Sequence, residues 1–159
     1  MADQEDAFEK EVRFLRLQDY FPYQLAVASN QVSRMVARHY QSRFGLTIWE
    51  WRVIAVLAEG RSISAQLLGE AAAMDKVTVS RAVKALLGRA LISRKRDEAD
   101  RRSSLLKLTR KGWETYEKVA PLALEAETAL FEGENEAELK RLAELLNRLK
   151  VKAGSIDLE

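Results

Sequence analysis

Only Ala73 and Met74 separate two stretches that both read as helices, Ser64 to about Ala72 and Asp75 to about Arg89. Each opens on a residue whose side chain can accept a hydrogen bond from free backbone amides. Helices of about two and four turns on so short a link form a helix-turn-helix pattern, with the second helix presented outward on the first. Beyond them, Leu91 to Arg96 and Ser103 to Leu108 are alternating or β-favouring runs, joined by the charged segment Asp97-Glu98-Ala99-Asp100-Arg101-Arg102. They predict a two-stranded hairpin with an exposed tip.

The rest of the chain reads as helix. Phe8, Val12 and Leu15 predict a short amphipathic helix over Phe8 to Leu17. Leu25, Ala28, Val32, Met35, Val36 and Tyr40 form one stripe on a long helix from about Pro22 to Phe44, closed by Gly45. Thr47 is the N-cap of a helix Ile48 to Glu59, with Glu50 completing a capping box and Gly60 ending it. Thr109 caps a second long helix carrying Trp113, Tyr116, Val119, Ala120, Ala123 and Leu130, in which Pro121 predicts a kink or a break. After Gly133, Leu139, Leu142, Leu146 and Leu149 have the spacing of a helix–helix seam. With 159 residues, 47% of them hydrophobic, and no internal repeat, the chain is expected to form one domain with a real core.

Several kinds of chemistry are excluded by what is missing. Without cysteine there are no disulfides, thiolate metal sites or thiol switches, and with one histidine, His39, neither a zinc site nor a metal or catalytic set is expected. No nucleophile–base pair and no Gly-rich phosphate loop is present, so neither an enzyme nor a cofactor is expected. No apolar run approaches the ~20 residues that cross a bilayer, and the acidic start Met1-Ala2-Asp3-Gln4-Glu5-Asp6 lacks a signal-peptide pattern. The expected compartment is the cytoplasm.

The formal charge of +2 hides an asymmetry. Residues 61 to 112 hold 13 Lys or Arg and 5 Asp or Glu, net +8, and the remainder holds 13 basic and 19 acidic residues, net −6. A basic block flanked by acidic ends suits a polyanion, because each cation placed near a phosphate releases condensed counterions.

On a helical wheel, Val79, Ala82, Val83, Leu86 and Leu87 fall in one arc and should be buried. The opposite arc carries Val77, Thr78, Arg81, Lys84, Ala85 and Gly88, with Lys76 and Ser80 at its margins and no carboxylate. A face that is small, hydroxylated and basic fits a DNA major groove: Arg81 can bond a guanine edge through two donors, and Val77 or Thr78 can touch a thymine methyl. Lys84, further from the helix start, is placed to meet phosphate. At the hairpin tip, Asp97, Glu98 and Asp100 sit among Lys95, Arg96, Arg101 and Arg102 without a histidine or cysteine, so a metal site is not expected. Asp100 is expected to hold Arg102 by an ion pair while one of the two arginines enters a minor groove.

Trp51-Arg52-Val53 followed by Leu57, Asp75-Lys76-Val77-Thr78-Val79-Ser80-Arg81, and Arg94-Lys95-Arg96-Asp97-Glu98-Ala99-Asp100-Arg101-Arg102 followed by Leu108-Thr109-Arg110-Lys111-Gly112 together resemble the winged-helix regulators of the MarR type, over roughly Asp19 to Ala120. The resemblance implies a mainly α fold with a small two- to three-stranded β wing. Residues 47–112 are then the winged helix-turn-helix DNA-binding part, and 1–45 and 113–159 the dimerisation helices. It makes Arg102 the minor-groove arginine, Asp100 its orienting partner, and Thr78, Ser80 and Arg81 the main groove contacts. The full DNA-facing set is Ser64, Lys76, Val77, Thr78, Ser80, Arg81, Lys84, Lys95, Arg96, Arg101 and Arg102. Two residues depart from the pattern: Ala90 replaces the glycine usual before the first wing strand, which bears on the turn there, and Gly69 sits where alanine is common.

The family resemblance also implies a homodimer on a pseudo-palindromic operator, released by a small aromatic carboxylate held between the dimerisation helices and the DNA-binding part. Its candidate ligand residues here are Arg38, His39, Trp49, Trp51 and Arg52. The plain alternatives are a core Trp51, a salt-bridged Arg52 and a surface His39. The function expected is a sequence-specific transcriptional repressor; the alternative is a constitutive DNA-binding or architectural winged helix with no effector.

Overall fold

Side-chain caps delimit the helices at the centre of the chain. In a computed structural model, which describes residues 14–60, 62–96 and 104–157, α1 spans Phe21–Phe44 and ends where Gly45 takes the left-handed conformation (φ 60°) and returns its N–H to the Gln41 carbonyl at 2.8 Å. That conformation costs glycine nothing. Helix α2, Ile48–Ala58, starts on the anticipated capping box: Thr47 Oγ1 accepts from the Glu50 amide (3.2 Å) and the Thr47 amide donates to Glu50 Oε2 (2.7 Å). A strand β1, Ile63–Ser64, leads into α3, Ala65–Ala72, whose first turn is capped by Ser64 Oγ accepting from the Leu67 amide. Ala73 stops α3 in a left-handed conformation (φ 52°), and α4, Lys76–Gly88, begins at once behind the N-cap Asp75.

Strands β2, Ile92–Arg96, and β3, Ser104–Leu108, form the antiparallel hairpin, in register from Ile92 opposite Leu108 to Arg96 opposite Ser104. The sheet order is β1-β3-β2, with Ile63 opposite Leu106. Alternation buries Ile92, Leu106 and Leu108 and turns Lys95 and Lys107 outward. Helix α5, Arg110–Leu130, follows Thr109, whose Oγ1 accepts from the Gly112 amide at 3.0 Å. It runs through Pro121 without the break that the proline allows. Proline removes one helical hydrogen bond, and on either side of it Val119 is buried in the core while Ala120, Leu122 and Ala123 pack half-buried against it. Helix α6, Glu136–Ser155, is capped by Asn135 Oδ1 accepting from the Ala137 amide.

Two further differences from the sequence expectation concern the first forty residues. Most of the expected helix Phe8 to Leu17 lies outside the described residues; Phe14 to Arg16 are not helical, and Leu17–Asp19 make a single 3-10 turn. The stripe on α1 is buried only toward its C-terminal end: Ala37 and Tyr40 are buried, whereas Leu25 and Val32 are exposed.

Contacts divide the chain into two compact units, Met1–Ala123 and Leu124–Glu159. In the first, Tyr40, Leu46, Val53, Ile54, Leu57, Leu68, Leu86 and Leu106 are almost fully buried in one cluster. Trp51 lies inside it, with its ring centroid 5.7 Å from that of Tyr40 and 5.8 Å from that of Tyr116, the latter pair stacked at 17°. The second unit leaves Leu142, Leu145, Leu146, Leu149 and Val151 exposed on α6. No helix among the described residues is long and apolar enough to cross a membrane.

Candidate nucleic-acid interface

Burial along α4 divides it into the two faces expected. Val79, Ala82, Val83 and Leu86 are buried and Leu87 half-buried against α2 and α3, while Lys76, Val77, Ser80, Arg81, Lys84 and Gly88 are exposed. Val77 keeps 59% of its surface in solvent, a large exposure for a valine on an otherwise well-packed helix. Among the described residues neither Arg81 nor Lys84 has an ion-pair partner, so both cations are available to an external anion.

The start of α4 is held firmly by its own cap. Asp75 Oδ1 accepts from the Val77 and Thr78 amides, both at 2.9 Å, and its Oδ2 accepts from Thr78 Oγ1 at 2.6 Å. The Thr78 hydroxyl and then its amide hold the Asp75 carboxyl below the usual carboxylate range. This cap ties the Thr78 hydroxyl to Asp75, and Thr78, expected on the outward arc, is half-buried rather than exposed. Gly69 explains how α4 sits so close to α3: a Cβ there would lie 3.1 Å from the Met74 carbonyl and 3.2 Å from Val79 Cγ2.

Arg94, Lys95 and Arg96 are exposed on β2, and an open recess of about 830 Å³ at the elbow of α3 and α4 has Lys76, Ser80 and Arg94 on its walls. Ser64, expected at the interface, is half-buried and uses its hydroxyl to cap α3. The wing-tip residues Asp100, Arg101 and Arg102, with Asp97 and Glu98, lie outside the described residues.

A second cavity, of about 600 Å³, lies between the C-terminal half of α1 and the start of α2. Arg38, Trp49 and Arg52 from the sequence-derived ligand set line it, joined by Arg34, with Ser29, Asn30, Ser33 and Gln41 adding polar wall and no carboxylate among the lining residues. The Arg52 guanidinium carbon sits 5.2 Å from the Trp49 ring centroid. The structure does not bring His39 or Trp51 to this cavity. His39 is one residue past Arg38, hence turned ~100° around the helix, with Nδ1 3.1 Å from the Met35 carbonyl. Trp51 points into the core. Arg34 escaped the sequence reading because nothing local sets it apart; the α-helical spacing from Arg38 was the one available signal.

Comparison with known proteins gives the same picture. Residues 44–103 match the model of the MarR family. The HTH-type transcriptional regulator BilQ of Clostridium symbiosum is 37% identical over 82 residues, which are 52% of this chain and 57% of that protein, so the match spans little more than half of that relative. The structure of BpsR of Bordetella bronchiseptica, whose DNA binding is regulated by 6-hydroxynicotinic acid, superposes with a TM-score of 0.77 at 25% identity, covering 91% of this chain and all of that one. A MarR/EmrR family transcriptional regulator from Acinetobacter sp. ADP1 is 30% identical, with a TM-score of 0.82 over 89% of this chain and the whole of the other. A basic, carboxylate-free helix presented on a helix-turn-helix beside a β hairpin, in a chain this similar to that regulator along its whole length, places the protein in the MarR family of transcriptional regulators.

Proposed function

We propose that the protein is a sequence-specific, double-stranded-DNA-binding repressor that acts in the cytoplasm as a homodimer on a pseudo-palindromic operator and is released by a small aromatic carboxylate. The observation that carries this reading is the outer face of α4, where Lys76, Val77, Ser80, Arg81 and Lys84 are exposed together without a carboxylate. In a major groove, Arg81 pairs with a guanine edge, Val77 contacts a thymine methyl and Lys84 meets phosphate. The wing cations Lys95, Arg96, Arg101 and Arg102 follow the backbone, with Arg102, oriented by Asp100, in the minor groove. A two-fold dimer sets the two α4 helices about 34 Å apart, one turn of DNA. The exposed leucines of α6 support such a partner.

The effector reading is supported by the cavity between α1 and α2, which Arg34, Arg38, Arg52 and Trp49 line together, with the Arg52 guanidinium over the Trp49 ring. Guanidinium groups pair with a carboxylate and the indole stacks on an aromatic ring. That BpsR responds to 6-hydroxynicotinic acid, an aromatic carboxylate, favours the same ligand class here.

Fluorescence anisotropy on duplexes that the protein itself selects from genomic fragments tests the reading. Wild type is expected to bind with a steep salt dependence, Arg81→Ala to lose about 1–3 kcal/mol and relax specificity, and Lys84→Ala to weaken all duplexes alike while flattening the salt slope by about one. Absence of binding at low salt, or salt slopes and preferences untouched by both substitutions, would overturn it. An operator affinity that no aromatic carboxylate lowers would leave the effector-free alternative standing.

A further inference from the structure

The C-terminal end of α4 is tied to three other elements by directional bonds, and Arg89 makes the ties that reach furthest along the chain. Its Nη2 donates to the Phe44 carbonyl at 2.7 Å and its Nη1 to the Gly45 carbonyl at 3.0 Å. Both are orphan acceptors at the end of α1, where a cation is also favoured by the helix dipole. Nη1 lies 4.0 Å from Glu50 Oε2, the carboxylate that closes the capping box of α2 and is itself buried. On the other side, the first turn of α5 grips the same segment: Lys111 Nζ donates to the Arg89 carbonyl (3.0 Å), Thr109 Oγ1 to the Ala90 carbonyl (2.7 Å), and the Thr109 amide to the Leu91 carbonyl (3.1 Å).

The packing beneath α4 seats the helix but is less directional than these bonds. Val79, Ala82, Val83 and Leu86 contribute burial without direction, and an apolar interface tolerates small tilts. The helix has 13 residues, about 20 Å at 1.5 Å each, so a tilt of about 5° around its C-terminal end moves its first turn by about 1.5 Å. Base-edge hydrogen bonds do not survive such a shift.

We propose that Arg89 is a positioning residue for DNA reading: by joining the end of α4 to the last carbonyls of α1 and to the capping carboxylate of α2, it sets the angle at which the basic face meets the groove. The inference rests on the DNA-reading role proposed above. It separates a contact residue from a residue that only aims the contacts, because the two respond differently to DNA sequence and salt.

The test uses the full chain, a duplex selected by wild type from a random-sequence library, and a scrambled duplex of equal length. Arg89→Met, which keeps the aliphatic stem, is expected to retain the helical circular dichroism and the scrambled-duplex affinity within about twofold. It is expected to lose the selected duplex about tenfold, the order of effect for a pair of charge-assisted hydrogen bonds, with an unchanged salt slope. Arg89→Lys, which keeps the charge but not the two-pronged donation, should fall between; it carries the test if Arg89→Met fails to fold. Wild-type affinity in both variants would overturn the proposal. So would a parallel loss on both duplexes with a flatter salt slope, which would make Arg89 a phosphate contact. A wild type that selects no duplex removes the DNA-reading role itself, an outcome distinct from either.

Discussion

Tyr40 is fully buried, its ring tilted at 45° to that of Trp51, and its hydroxyl has no hydrogen-bond partner among the described residues. An orphan hydroxyl in a core is a net cost. Burial pushes its pKa up to about 12, against a smaller opposing pull from Arg52. The folded protein therefore holds this proton to higher pH than the unfolded chain, whose ordinary value is 10.0, so stability falls as pH climbs from about 10 to about 12. Tyr40→Phe keeps the ring and is expected to raise stability at neutral pH by about 1 kcal/mol and to lessen that alkaline loss. Urea titrations of both proteins at neutral pH and at pH values above the ordinary tyrosine range check this; a destabilised variant would mean that the hydroxyl has a partner.

Between elements, Ala90 makes the sharpest case. It stands where the family pattern has glycine, and it nevertheless adopts φ 56° in the left-handed region, so the turn before the wing is kept and the strain falls on the alanine. Ala90→Gly is expected to stabilise by about 1 kcal/mol with the wing unchanged, read as a higher midpoint in thermal unfolding. A lower midpoint would show that the turn depends on the methyl. The helices and their caps were legible in the chain because they are local: Thr47 with Glu50, Ser64, and Asp75 each sit within three residues of the amides they serve. The buried arc of α4 was legible through its period. Strand β1 was not read from the chain, since two residues carry no period and Ile63–Ser64 become a strand only by pairing with Leu106 and Leu105. The same holds for Arg89, whose acceptors lie 44 and 45 residues away, and for the pair Arg34 and Arg38, which meets Arg52 only through the approach of α1 to α2.

For the whole molecule, charge and exposed apolar surface point to a divided task. The net +8 of residues 61–112 contains α4 and the hairpin, and the net −6 of the rest comes from residues 1–20 and 113–135, the latter including most of α5. An acidic scaffold is repelled by DNA while the basic face is drawn to it. Leu142, Leu145, Leu146 and Leu149 leave an apolar band on α6 at 40–45% exposure, a kind of contiguous patch that monomeric proteins rarely leave in water. Leu142→Glu with Leu146→Glu is expected to convert the proposed dimer, as read by light scattering, to monomer and to make operator binding weaker and steeper in protein concentration, while the helical content of the first unit stays. An unchanged dimer mass would place the interface elsewhere.

The account turns on whether the outer face of α4 reads bases. Selection of bound duplexes from a random-sequence library, run in parallel with wild type and Arg81→Ala, asks this directly. Wild type is expected to enrich a pseudo-palindrome with half-sites one helical turn apart, and Arg81→Ala to lose preference at one base pair in each half-site while keeping the rest. Identical motifs from both proteins, or no motif from wild type, would contradict it.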